Sequence, residues 1–424
     1  MLTAVVGINW GDEGKGRMVD LLSADYDIVC RYQGGNNAGH TVVNNSGKFV
    51  LNLLPCGIFR EHIVNVIGSG MVVDIEHLCN EIESITSKGI KITPDNLKVS
   101  DRATICMPYH VLLDELEENR LGDKRYGSTR RGIGPVYADK YIKKGIRIID
   151  LLNYDALKNK LADIIEWKNL LIVDGYKNEA VTVDAMFEWL KKYGGKILPF
   201  VTDTTAYLEK AADGDKKIMF EGQLGTLRDV DYGIYPFTTS SQTLAAYATT
   251  GAGIPFKTLD NTIGIMKAFS SCVGAGPFTP EFFGEEADKI RDASEEFGAA
   301  TGRPRRVGGF DIPASRYGVK IQGASYLALT KLDFMSYFDK IPVCVAYEID
   351  GTQTLDFPSG DRLTRAKPVY EYLPGFKADI SKCRKIRDLP KEAVDYIKYV
   401  EKAVNCPIKY VSVGPARGDY IVVE

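Results

Sequence analysis

The sequence predicts an α/β fold on a central, mostly parallel β-sheet flanked by helices, and three observations carry that expectation. Short β-branched runs alternate with helical patterns along the 424 residues. Several of these runs pass straight into glycine-rich or polar loops. No Ser/Pro linker, low-complexity tract or repeat divides the chain, so residues 1–424 read as one domain.

Strands are expected at Ala4–Ile8, Ile28–Tyr32, Ile63–Ile67, Ile218–Phe220, Tyr326–Thr330, Ile341–Tyr347 and Ile408–Val413. Between Asp74 and Gly89, Ile75, Leu78, Ile82 and Ile85 recur at helical spacing, with Asp as N-cap and Gly just past the end. From about 109 to 195 helical patterns dominate, through Leu157, Leu161, Ile164 and Ile165 and then Met186, Phe187 and Leu190; this stretch reads as a mainly helical lobe inserted in the domain. Asp388–Val404 reads as a last amphipathic helix, with Pro390 in its first turn.

Lys plus Arg (53) nearly balances Asp plus Glu (56), a net charge of −3, so no overall basic field draws the chain onto nucleic acid or anionic lipid. Any anion must meet a local site. The start, MLTAVVGINW, lacks the basic region of a signal peptide, and no run approaches the roughly 18 apolar residues of a membrane span, so a cytoplasmic location is expected. Eight scattered cysteines form no C-x-x-C pair and are expected as reduced, mostly buried thiols. Of four histidines, His62 and His77 read as structural, His110 as a packed, hydrogen-bonded residue, and His40 alone sits among small residues on a loop.

In open α/β sheets ligands bind beyond the carboxyl ends of the strands, and five predicted strands end in unusual loops. In Gly11-Asp12-Glu13-Gly14-Lys15-Gly16 the glycines let backbone N–H groups converge on a phosphate, and Lys15 adds a point charge. It is not a Walker A motif, since Asn9 stands at the first glycine position and Gly16 replaces the Ser/Thr that meets Mg²⁺; Asp12 offers a hard oxygen instead. Gln33 to Thr41 places His40 where its imidazole can donate to an oxygen gaining negative charge. Thr330-Lys331-Leu332-Asp333 has the form in which a carboxylate pairs with the N1 and N2 hydrogens of guanine while the Lys stem covers the base. Gly298 to Arg306 carries Arg303, Arg305 and Arg306 on a small-residue loop, suited to clamping an anion.

Together these loops resemble the adenylosuccinate synthetase family over nearly the whole chain. The residues that carry the likeness are Trp10 to Gly16, Arg31 to Thr41, Arg131-Gly-Ile-Gly-Pro135, Tyr235 to Ser241, Val273 to Phe278, Glu296-Phe-Gly298, Thr301-Gly-Arg303 and Thr330 to Asp333, in matching order and spacing. The resemblance implies a sheet distantly like that of P-loop NTPases and a GTP-dependent ligase. Such an enzyme joins IMP and L-aspartate into adenylosuccinate, GDP and phosphate through 6-phosphoryl-IMP, the first committed step from IMP to AMP.

By residue-by-residue transfer, the resemblance makes Asp12 the base that takes the N1 proton of IMP, His40 the acid at the 6-oxygen and Lys15 the stabiliser of the transferring phosphoryl. Asp12 and Gly39 would hold one Mg²⁺, with no organic cofactor. IMP would meet residues 12–15 (Asp12, Glu13, Gly14, Lys15), Asn37, Ala38, Gly39, His40, Thr129, Gln223, Thr239, Arg303 and, from the other subunit of a homodimer, Lys143. Aspartate would meet Ala299, Ala300, Thr301, Gly302 and Arg303. GTP would meet residues 11–17 (from Gly11 through Gly16 to Arg17), Gly39, His40, Thr41, Arg305, Lys331, Leu332, Asp333, Ser412, Val413 and Gly414.

Departures from the family pattern are local. Lys143 stands where Arg is usual, the common E-G-A-Q-G reads Glu221-Gly-Gln-Leu-Gly225, Arg17 replaces a Lys, Ala300 a Thr, and Pro304 an Arg. These leave the roles of Lys143 and Gln223 toward IMP open, and predict altered IMP affinity rather than lost catalysis. Two other readings compete: a related branch that uses dGMP to make a 2-aminoadenylosuccinate nucleotide, which lacks the aspartate base, and a guanine-nucleotide switch without ligase activity, which leaves Asp12 and the 298–306 loop without roles.

Overall fold

The computed structural model describes residues 1–44, 47–298 and 302–423. Its frame is a ten-stranded sheet. In chain order the strands are β1 (Leu2–Gly7), β2 (Ile28–Arg31), β3 (Val64–Ile67), β4 (Leu97–Ser100), β5 (Val201–Thr202), β6 (Ile218–Gly225), β7 (Asn261–Lys267), β8 (Tyr326–Thr330), β9 (Ile408–Ser412) and β10 (Tyr420–Val422). They lie side by side as β10-β9-β8-β7-β1-β6-β2-β3-β4-β5. Every neighbouring pair is parallel except β9 and β10.

β1 is buried at every position, as a strand covered on both faces must be, and its apolar Leu2-Thr-Ala-Val-Val run meets that demand. It sits between β6 and β7, and the chain leaves it through a helix, α1 (Lys15–Leu22), to β2 on the far side of β6. Its carboxyl end therefore opens at the middle of the sheet, where loops from both halves can meet.

Six of the seven expected strands fall in this sheet. The seventh, around Ile341–Tyr347, lies within Lys340–Ile349 of a separate sheet that also holds Phe310–Asp311, Thr352–Thr354 and Lys367–Pro374. β4, β7 and the two short edge strands β5 and β10 went unforeseen. β7 carries Gly264 at its centre, which weakens the strand pattern, yet a Cβ there would lie 2.6 Å from Ile8 and 2.7 Å from Leu327, so close strand packing demands the glycine.

The helix α2 (Ile75–Thr86) starts where its cap predicts, with the Asp74 carboxylate accepting the His77 N–H at 3.0 Å. Residues 108–197 contain α3 (Pro108–Leu121), α4 (Ile133–Tyr141), α5 (Tyr154–Asn169), a six-residue π-helix (Leu170–Gly175) and α6 (Val183–Ile197). Leu157, Leu161, Ile164, Ile165 and Leu190 pack into one hydrophobic core with Leu78 of α2 and Val5 and Val29 of the sheet. The last helix spans Lys391–Val404 behind Pro390 and buries Ala393, Ile397, Val400 and Val404.

His110 is fully buried, accepts the Met107 N–H at Nδ1 (2.9 Å) and donates from Nε2 to Asp139 (2.8 Å), the packed residue expected. All eight cysteines are free and only Cys383 is not buried. Among the described residues no helix is long and apolar enough to cross a membrane.

Candidate active site

At the carboxyl ends of β1, β2 and β6 to β9 lies a cavity of about 720 Å³. Asp12, Lys15, His40, Arg305, Asp333 and Ser412 all line it. Of the five expected loops, two do not reach it: Glu221-Gly222-Gln223 continues β6, and Gly68 and Gly70 after β3 pack against Gly251, whose carbonyl accepts the Gly70 N–H at 2.7 Å.

The phosphate-type loop is shaped by left-handed backbone at Gly11 (φ 99°), Asp12 (φ 58°) and Gly14 (φ 94°), and α1 begins at Lys15, so its free N–H groups open on the cavity. Glu13 turns inward. Its buried carboxylate accepts the N–H groups of Asn9 (3.1 Å) and Gly11 (2.8 Å) and pairs with Lys15 Nζ at 2.6 Å. A Cβ on Gly7 or Gly225 would come within 2.6 Å of that carboxylate and closer still to the Leu224 or Asn9 carbonyl, so both positions require glycine. Glu13 lines the cavity as expected, while its carboxylate is a fixture of the loop.

His40 opens the strand His40–Asn44 and packs on α1, where a Cβ at Gly16 would lie 2.6 Å from its own Cβ. Its Nδ1 makes a short hydrogen bond to Glu221, while buried Nε2 has no partner. Burial lowers His40 below the usual imidazole range despite Glu221. Burial would raise Glu221, but the hydrogen bond and charge of His40 hold it below the usual carboxylate range. Ligand atoms of His40, Cys56 and Glu221 lie within 4.8 Å of one another, at hydrogen-bonding rather than metal-spanning separations.

Asp12, one-third exposed at 32%, faces Arg305, whose Nε is 3.1 Å from its carboxylate. Arg305 Nη1 also contacts Glu296 at 2.8 Å, and Glu296 holds buried Lys267 at 2.7 and 2.8 Å. Charges alternate along this row. Burial opposes ionisation of Glu296, yet Lys267 and Arg305 bring it down to about 2. Lys267 and Glu296 went unassigned in the sequence, because Lys267 ends a strand that the pattern concealed.

On the opposite side Thr330 Oγ1 donates to the Glu13 carbonyl at 2.7 Å, tying the guanine-type motif to the phosphate loop. Lys331 donates to Ser294 O at 3.0 Å. Asp333 is mostly buried, its Oδ1 lacks a partner, and burial raises its carboxyl. Arg17 reaches across to Ser412 Oγ (2.5 Å) and the carbonyls of Ala416 (2.7 Å) and Asp419 (2.9 Å). Leu332 and Val413 bury their side chains in the core.

Ala38, Gly39, Thr41 and Gly414 line the cavity; Asn37, Thr129, Lys143, Thr239, Gly302 and Arg303 are not on its wall. Gln223 is also off the wall: its amide donates to Asn37 Oδ1 (3.0 Å) and Gly35 O (3.0 Å) and accepts from Arg31 (2.9 Å). Leu224, at φ 62°, lines the cavity in its place. Lys143 is exposed just beyond α4, next to exposed Tyr141 and Ile142. Ala299, Ala300 and Thr301 lie outside the described residues; Gly298 N–H donates to Arg303 O at 2.8 Å, which closes the loop's base.

The adenylosuccinate synthetase family model matches residues 4–421. The chain belongs to this family. The adenylosuccinate synthetase of Salinibacter ruber is 46% identical over 429 aligned residues, covering 99% of this chain and 98% of that one. A structure of fully ligated adenylosuccinate synthetase from Plasmodium falciparum superposes with a TM-score of 0.93 at 35% identity, covering 100% of this chain and 99% of that one. The cyanophage S-2L succinoaminodeoxyadenylate synthetase, solved with dGMP and dATP, shares the fold alone, at 18% identity and a TM-score of 0.61 over 99% and 95% of the two chains.

Proposed function

We propose that the chain joins IMP and L-aspartate at the expense of GTP, giving adenylosuccinate, GDP and phosphate through 6-phosphoryl-IMP. The observation that carries this reading is the convergence of Asp12, His40 and Lys15 on one cavity that Asp333, whose Oδ1 has no partner, also lines.

The 6-oxygen of hypoxanthine is a poor leaving group. Asp12 removes the N1 proton, which raises the nucleophilicity of the 6-oxygen toward the γ-phosphorus. Lys15 and the amides around it stabilise the transferring phosphoryl by fixed charge. His40 presents Nε2 to the 6-oxygen and phosphoryl, and Glu221 behind the ring supplies the counter-charge when that nitrogen carries a proton. The aspartate amine then attacks C6, and the 6-oxygen departs with the phosphate. Asp333 reads guanine, with Lys331, Ser412 and Gly414 around it.

The family uses a metal ion, and the donors here suit a hard one: the Asp12 carboxylate and the Gly39 carbonyl are both on the cavity wall, and both are oxygens. We assign it as Mg²⁺, which when bound neutralises phosphate charge. Arg305 occupies the Asp12 carboxylate in this structure and turns to nucleotide when Asp12 takes up its work. Asn37, Thr129 and Thr239 hold IMP, Gln223 orients Asn37 from behind, and the 299–303 loop clamps the aspartate carboxylates. A homodimer brings Lys143 of one subunit to the IMP phosphate of the other.

Phosphate release should require GTP, IMP and aspartate together, and Asp12→Ala or His40→Ala should slow it by orders of magnitude. Unchanged turnover in either variant refutes the assigned roles. Competition of IMP with dGMP separates the branches, and faster turnover of dGMP would overturn the choice of substrate.

A further inference from the structure

We infer that Glu221, held in place by Cys56, is a positioning residue for His40, fixing the imidazole with Nδ1–H turned into the protein and Nε2 left for the reacting oxygen. The inference rests on the proposed role of His40.

Glu221 lies at the middle of the sheet, in register with Val5 of β1 and Arg31 of β2, and is fully buried. A carboxylate there is costly unless its oxygens are satisfied, and an apolar side chain of similar size would cost the fold less. Its donors are few and specific. Oε2 accepts the Cys56 backbone N–H at 2.8 Å, Oε1 accepts the Cys56 S–H at 3.1 Å, and Oε1 also takes the short bond from His40 Nδ1. Arg31, equally buried, lends its charge from the neighbouring strand while spending its own N–H groups on Asn52 O and Gln223.

Cys56 thus grips both carboxylate oxygens from one side and leaves a single oxygen direction for the imidazole. A flip of the imidazole swaps Nδ1 with Cδ2 and Nε2 with Cε1, so a carboxylate fixed on Nδ1 sets the ring's orientation, keeps the proton on Nδ1 in the neutral ring, and leaves Nε2 rather than a carbon facing substrate. Gly16 closes the other side, because its missing Cβ is what admits the His40 Cβ against α1. The ring is held at its base by α1 and at Nδ1 by Glu221. Nε2, the only side-chain polar atom of His40 without a partner, is what remains.

The test is a double-mutant cycle in the whole enzyme, measuring steady-state phosphate release from GTP with IMP and aspartate. Glu221→Gln should lower kcat by about 10- to 100-fold with KM for each substrate within about threefold. In a His40→Ala background the same substitution should change the rate by less than about twofold, because its effect runs through the ring. An equal loss in both backgrounds, or an unchanged kcat in the single variant, overturns the inference. Cys56→Ala should lower kcat by several-fold at constant KM, and Cys56→Ser, which restores a donor, should recover most of it; a loss that serine does not recover, or no loss, counts against the Cys56 grip. These variants also decide the matter if Glu221→Gln fails to fold. Full turnover in His40→Ala alone is a separate outcome that removes the proposed mechanism and this inference with it.

Discussion

Glu13 shows how far residue type alone carries the reading. Its place between glycines marked it as part of an anion loop, but the direction of its side chain depends on Gly7 and Gly225, and Gly225 belongs to a strand more than two hundred residues later. Buried Lys15 relies on it as an ion-pair partner. Glu13→Gln should therefore leave a buried ammonium without its counter-charge, costing about 3 kcal/mol of stability in a denaturant titration and raising KM for GTP by about tenfold. A variant as stable and active as the parent would contradict the structural role given to this carboxylate. His40, Asp12 and Asp333 were legible because unusual residue types ended predicted strands. Glu221 and Lys267 were not, because their roles come from neighbours that only the folded sheet supplies.

At the level of elements, the strands and helices whose period was clean were read correctly, and the misses have physical causes. β7 is interrupted by Gly264, and β4 is four residues long with a Lys within it. Ile341–Tyr347 read as a strand correctly, yet no local pattern says which sheet a strand joins. One helix start carries a pH dependence. The Asp311 carboxylate caps the helix Ile312–Gln322, accepting Ala314 N–H at 3.0 Å and the Tyr347 hydroxyl at 2.6 Å, and burial lifts it from an ordinary 3.8 to about 7. The folded state thus holds a proton that the unfolded chain has lost, so this group's contribution is full below about 4, declines as pH rises, and is gone above about 7. Asp311→Asn keeps a capping oxygen and cannot ionise. Relative to the parent, the variant should gain about 1 kcal/mol per pH unit between pH 5 and 7, read by urea unfolding at each pH. Parallel pH profiles for the two proteins would refute it.

The whole molecule gathers its substrate groups by bringing many strand ends to one edge. A near-neutral chain can then present strong local charge, as in the row Asp12, Arg305, Glu296 and Lys267. The sequence showed the arginines and Asp12 but not their alternation, since the four come from three separate stretches of chain. The proposed sharing of the site between two subunits is tested at this scale as well. Mixing inactive Asp12→Ala with Lys143→Ala, assayed at limiting IMP, should restore activity to at most about a quarter of the parent, because half the dimers are hybrid and each hybrid has one intact site. No recovery after subunit exchange would speak against a shared site.

The proposed chemistry turns on phosphorylation of the 6-oxygen of IMP before it is displaced. IMP carrying ¹⁸O at that position, turned over with GTP and aspartate, tests it directly. The heavy oxygen should leave in the released phosphate, one atom for each adenylosuccinate formed; heavy oxygen found in water, with none in phosphate, rules out a 6-phosphoryl intermediate.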